Sequence, residues 1–136
     1  MKIGAKKGFS LVELLTVLFI LSSLITLIIP NVKRALFKAK LTACQTNLSR
    51  IATGLEAYRT DHEGIYPVDL SQLLPGGYIS KIPKCPVANA DTYSSGYTVT
   101  SELKAFTVRC KGSNHTNLGL EPDEPFFDLQ GGLQPK

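Results

Sequence analysis

The feature that most constrains this chain is an apolar run from Phe9 to Ile29. Its 21 residues are mostly Leu, Ile, Val and Phe and carry a single charge, Glu13. A helix rises about 1.5 Å per residue, so the run reaches about 30 Å, the thickness of a bilayer's hydrocarbon core. It is preceded by a short basic leader with Lys2, Lys6 and Lys7, ending in Gly8. It is followed by Pro30 and a second basic cluster, Lys33, Arg34, Lys38 and Lys40. A carboxylate deep in lipid costs about 3 kcal/mol on insertion scales, so Glu13 calls for a partner and a role.

A secretory signal peptide accounts poorly for this stretch. The run is too long, it contains Glu13, and no A-x-A-like cleavage site follows. A plain membrane anchor explains the length but neither Gly8-Phe9 nor Glu13. The segment Gly8-Phe9-Ser10-Leu11-Val12-Glu13, opening an apolar run behind a basic leader, resembles the processing site of type IV pilins and the related pseudopilins. That resemblance implies cleavage between Gly8 and Phe9 by a prepilin peptidase, which also N-methylates Phe9. It implies that the Glu13 carboxylate pairs with the N-terminal amine of a neighbouring subunit in a homo-oligomeric filament. It further implies a single-pass start in the cytoplasmic (inner) membrane lipid with the C-terminal domain outside the cytoplasm. An inner-membrane assembly platform, acting with other minor pilins, would then feed the subunit into a periplasmic or extracellular filament.

The expected fold class is α+β, a long N-terminal helix packed on a small antiparallel β-sheet. Four parts are expected: leader 1–8, membrane and assembly half of the helix 9–29, amphipathic half 30–63, and a small globular domain 64–136. Val32, Leu36, Ala39 and Ala43 mark one apolar register past Pro30, and Cys44, Leu48, Ile51, Leu55 and Tyr58 a second. Pro30 should kink the helix, and Gly64 suits a left-handed C-cap. Asp69 and Gln72 read as the caps of a short helix carrying Leu70, Leu73 and Leu74. Farther on, Tyr97–Thr100 and Phe106–Cys110 predict a hairpin turning at 101–104, with Phe126–Leu129 as a third strand at an edge. From Tyr58 through Tyr66-Pro67 to Ile82-Pro83 the chain also resembles the body of the major pseudopilins of type II secretion. It departs from that family where Cys85 replaces an acidic residue before the second proline.

A net charge of +4 suggests nucleic acid only when read as a whole. From residue 41 on, eight basic residues face ten acidic ones, and the surplus lies beside the apolar run, where anionic lipid would meet it. No nucleic-acid partner enters the main reading. Three cations, Lys104, Arg109 and Lys111, are all the hairpin region offers a DNA-binding tip, and an acidic loop opposes them.

Three cysteines, Cys44, Cys85 and Cys110, allow three single pairings. Cys85 and Cys110 share the loop- and strand-rich half of the chain and are favoured, closing a loop of 26 residues worth about 3 to 4 kcal/mol outside the cytoplasm. Three buried thiols are the alternative. Cys44 is then a packing residue or an intersubunit contact. His115, five residues after Cys110, lacks a Cys-x-x-Cys partner and reads as an exposed loop histidine. Glu121, Asp123, Glu124 and Asp128 form an acidic cluster in the region where major pseudopilins hold calcium, and are the candidates for such a site; no other cofactor is expected. No catalytic motif is present, so a structural subunit for type II protein secretion is the main expectation. A minor type IV pilin of a DNA-uptake or adhesion machine is the alternative.

Overall fold

The structure, a computed structural model, describes residues 8–134; the leader lysines and the last two residues lie outside the described residues. One helix, α1 (Leu11–Asp61), occupies the first half of the chain. Contacts divide the chain within α1, after Leu36, into two compact units.

In the first unit the apolar side chains point outward. Phe9, Leu11 and Phe19 are each more than 70% exposed, and an 18-residue window of mean hydropathy 2.5 is long and apolar enough to cross a membrane. The hydroxyls within it are absorbed by the helix itself. Thr16 donates to the Val12 carbonyl (2.8 Å), Ser22 to Leu18 (2.7 Å), Ser23 to Ile20 (2.8 Å) and Thr26 to Ser22 (3.0 Å). Such back-bonding lets polar residues enter lipid without an unpaired group. Pro30 lies inside α1, where the Thr26 carbonyl loses its usual i+4 donor. The expected stripe through Val32 and Leu36 is not covered: these residues stay exposed, because the core begins only farther along the helix.

That core forms on the second register. Cys44, Leu48, Ile51 and Leu55, spaced four, three and four, are fully buried. Tyr66, Leu70, Leu73, Phe106 and Val108 close over them. Gly54 permits a close approach of the following chain, since a Cβ there would stand 2.7 Å from Ile79 Cγ2. The helix ends by a left-handed turn, Glu63 and Gly64 both having positive φ, with the Gly64 N–H reaching the Arg59 carbonyl (3.0 Å). Asp69 caps a 3₁₀ turn (Leu70–Leu73) by accepting from the Ser71 N–H at 2.7 Å, and Gln72 Oε1 accepts from the Val68 N–H at 2.9 Å. The bonds from Ser71 hold the Asp69 carboxyl below its usual range.

The sheet is an antiparallel meander of β1 (Tyr97–Val99), β2 (Phe106–Arg109), β3 (Phe126–Asp128) and β4 (Gly132–Gln134). The hairpin falls where its alternation predicts, with Phe106 and Val108 inward and Thr107 and Arg109 outward. The third strand is not at the edge as expected. A fourth, whose only signals are Gly132 at φ +70° and the Asp128 carboxylate accepting the Gly131 N–H, pairs outside it. The short apolar content of Gly132-Leu133-Gln134 hides this strand from a periodicity argument.

Candidate functional site

Two places in the chain concentrate chemistry. The first is the start of α1. Gly8, Phe9 and Ser10 are exposed and non-helical, so the Gly8–Phe9 peptide lies in irregular backbone directly ahead of the helix. Space around Gly8 is open; an added Cβ would meet nothing within 4 Å. A peptidase needs accessible, non-helical backbone at the bond it cuts, and this segment has both properties. Ser10 is the N-cap residue, its carbonyl accepting from Leu14 N–H at 3.1 Å, which places Glu13 in the first turn. There the positive end of the helix dipole favours a carboxylate by about 0.3 to 1 kcal/mol. That is well below the few kcal/mol that lipid burial costs. Among the described residues Glu13 makes no ion pair with its own chain.

The second place was not anticipated as a unit. Cys44 from α1, Cys85 from the turn after Pro83, Cys110 from the end of β2 and His115 from the next turn converge in the core, all buried. Their Sγ and imidazole nitrogen atoms all lie within 4.8 Å of one another. Cys85 and Cys110 are brought together as expected but stand as thiols with Sγ atoms 3.5 Å apart, against about 2.05 Å in a disulfide. Two other expectations are corrected. His115 is no exposed loop histidine: it is 3% exposed, with Nε2 3.8 Å from Cys85 Sγ. Cys44 is more than a packing residue, because the stripe that buries it also aims it at the other two sulfurs.

Each sulfur is met by hydrogen-bond donors. Tyr93 Oη donates to Cys44 Sγ at 3.2 Å and is itself held by Asn47 Nδ2 at 3.3 Å. Thr92 Oγ1 lies 3.4 Å and Asn114 Nδ2 3.6 Å from Cys110 Sγ. Burial pushes the Cys85 thiol up, and beside it the backbone of Val87 and Ala88 acts, more weakly, to lower it. The turn that holds these residues is closed by the Asn89 N–H on the Cys85 carbonyl and the Cys85 N–H on the Ala90 carbonyl, at 2.8 and 2.9 Å. Hydrogen bonding from Cys44, with help from Thr92, Cys85 and Asn114, draws the Cys110 thiol below its ordinary range. Cys44 moves the opposite way, through its bond to Cys110 and through burial.

The acidic residues Glu121, Asp123, Glu124 and Asp128 are not gathered. Asp123 accepts the Gly112 N–H (2.7 Å), Glu124 the Glu121 N–H (2.9 Å) and Asp128 the Gly131 N–H, so three of the four carboxylates brace loop backbone. Among the described residues the thiol–imidazole group is the one cluster with metal-ligand spacing. His62 is likewise structural, its ring stacked on Tyr58 at 3.7 Å. On the hairpin, Arg109 packs over the Phe126 ring (5.1 Å) and Lys104 pairs with Glu102 (3.9 Å), so neither stands in a free basic patch.

Comparison with known proteins bears on the first of these places. The family described as "Prokaryotic N-terminal methylation motif" matches residues 4–29. The chain is 34% identical over 91 residues to the ComG operon protein 3 homolog of Bacillus licheniformis, covering 67% of this chain and 93% of that protein. It is 38% identical over 81 residues to the competence protein ComGC of Bacillus subtilis, covering 60% and 82%. With ComGC of Halalkalibacterium halodurans the identity is 30% over 95 residues, covering 70% and 91%. No solved structure shows a significant match.

Proposed function

The chain belongs to the type IV pilin-like family of the ComGC competence proteins, and from that premise we propose that it is a structural subunit of a filament serving DNA uptake. The observation that carries this reading is the pairing of relatives named for competence with an N-terminal helix whose described apolar side chains are exposed through the first unit. An exposed stripe of that length has two stable surroundings, lipid and other copies of itself. The motif around Gly8 and Phe9 supports a passage from the first to the second: prepilin peptidase cuts and methylates, and the membrane-held subunit joins other pilins. Type II secretion, the main expectation from the sequence, is not supported by these three relatives, two of which are named for competence and none for secretion. The role is structural, without a catalytic centre. The pairing of Arg109 and Lys104 within the subunit favours a filament component over a DNA-binding tip.

Deleting the chain's coding sequence in its host tests this. Transformation by added DNA is expected to fall to background while secretion of proteins into the medium is unchanged. Loss of secretion with transformation intact would return the chain to the secretion machinery.

A further inference from the structure

We infer that Cys44, Cys85, Cys110 and His115 form a tetrahedral site for a structural zinc ion that ties the amphipathic half of α1 to the sheet. The geometry is the first support. With Zn–S bonds of about 2.3 Å, sulfurs of a tetrahedral site stand about 3.8 Å apart, and a sulfur and a nitrogen about 3.6 Å. Here the Cys85 and Cys110 sulfurs are 3.5 Å apart, and His115 Nε2 is 3.8 Å from Cys85 Sγ. All four donor atoms share one space less than 4.8 Å across.

The chemistry of the donor set is the second. Three sulfurs and one imidazole suit a borderline-soft cation and satisfy its usual coordination number without water, as a closed structural site requires. A buried imidazole whose Nε2 meets the Cys85 sulfur at 3.8 Å has little hydrogen-bonding return from that contact, and a metal bond supplies one. The third support is the surrounding shell. Binding converts three thiols to thiolates, releases three protons and leaves the cluster with one net negative charge. Donors for that charge are already placed: Tyr93 Oη, Thr92 Oγ1 and Asn114 Nδ2. The turn after Cys85, closed by the Asn89 N–H on the Cys85 carbonyl at 2.8 Å and the Cys85 N–H on the Ala90 carbonyl at 2.9 Å, orients that ligand from its own backbone.

A domain of this size gains from a staple, and zinc here would join four segments where a disulfide joins two. Forming this staple also consumes no oxidant, because zinc binding releases protons and transfers no electrons.

The test uses the full chain purified in detergent without an affinity histidine tag. Elemental analysis is expected to give one zinc per chain. Exchange with cobalt should produce the intense visible bands and the sulfur-to-metal charge-transfer band of a tetrahedral thiolate site, and added zinc should erase them. Cys44→Ser and His115→Ala should each lose stoichiometric metal. His115→Cys should keep it, which separates lost ligation from lost folding. Folded chain without metal overturns the inference. So does a non-reduced mass short of the two hydrogens that a disulfide between any two of the three cysteines removes, or Cys44→Ser retaining full zinc.

Discussion

Replacing Glu13 with leucine is expected to leave cleavage at Gly8 intact and to reduce assembled filament by more than tenfold. Two energies set the expectation. Holding a carboxylate in lipid costs about 3 kcal/mol, and the first-turn helix dipole returns at most about 1 kcal/mol of it. The leucine variant is therefore a more comfortable membrane protein than the native one, and a subunit selected only for anchoring would carry leucine. Among the described residues Glu13 has no ion pair, so we propose that what the carboxylate contributes comes from another molecule. The positive N-terminal amine created by cleavage at Phe9 is the partner that the pilin resemblance supplies. Relief of the unpaired charge on docking then makes leaving the membrane favourable, and each 1.4 kcal/mol of it is a factor of ten in assembly. The measurement is the ratio of sheared filament to membrane-held mature subunit. Because Glu13 lies outside the buried core, the unfolding midpoint of the globular unit should not move. A leucine variant that assembles at the native ratio would remove this role from Glu13.

The complementary variant is Leu55→Ala. Leu55 is fully buried on the stripe of α1 that carries the core. Truncating such a leucine costs about 2 to 5 kcal/mol in transfer energy and residual cavity. Against a total of roughly 5 to 15 kcal/mol for a domain, that is a large share. Urea unfolding of the detergent-solubilised chain, followed by tyrosine fluorescence because the sequence contains no tryptophan, should show a clearly lower midpoint with an unchanged slope. Cleavage at Gly8 should proceed, since the motif lies in the other unit. Together the two variants separate assembly from folding: the first changes the filament and spares the domain, the second destabilises the domain.

How far the sequence announces these features differs from one to the next, for physical reasons. The stripe Cys44, Leu48, Ile51, Leu55 is legible because a helix repeats every 3.6 residues whatever it packs against. The hairpin is legible because β-branched and aromatic runs flank a short polar turn. The strand Gly132–Gln134 is not, since three residues with one apolar side chain hold no period, and pairing with Phe126–Asp128 decides it. The same helical period predicts burial for Val32 and Leu36, which stay exposed because periodicity shows a face without showing whether anything covers it.

The thiol–imidazole cluster was hidden differently. Zinc motifs are recognised by ligands close in sequence, and here 41 residues separate Cys44 from Cys85 and 25 separate Cys85 from Cys110. Local spacing therefore made His115 a loop residue and Cys44 a spare. A weak signal was present nonetheless. Cys44 occupies an inward position of the stripe, Cys110 ends an inward-alternating strand, and Cys85 precedes a proline turn. Three cysteines aimed at one core are worth testing as a set before being divided into a pair and a remainder.

The most direct measurement of the central claim, that this chain is a processed and polymerised subunit, is N-terminal sequencing and intact mass of the protein in sheared filaments. The mature chain should begin at N-methylated Phe9 and be enriched in the filament fraction. A chain in that fraction that still begins at Met1, or a mature chain confined to the membrane when filaments are present, would contradict it.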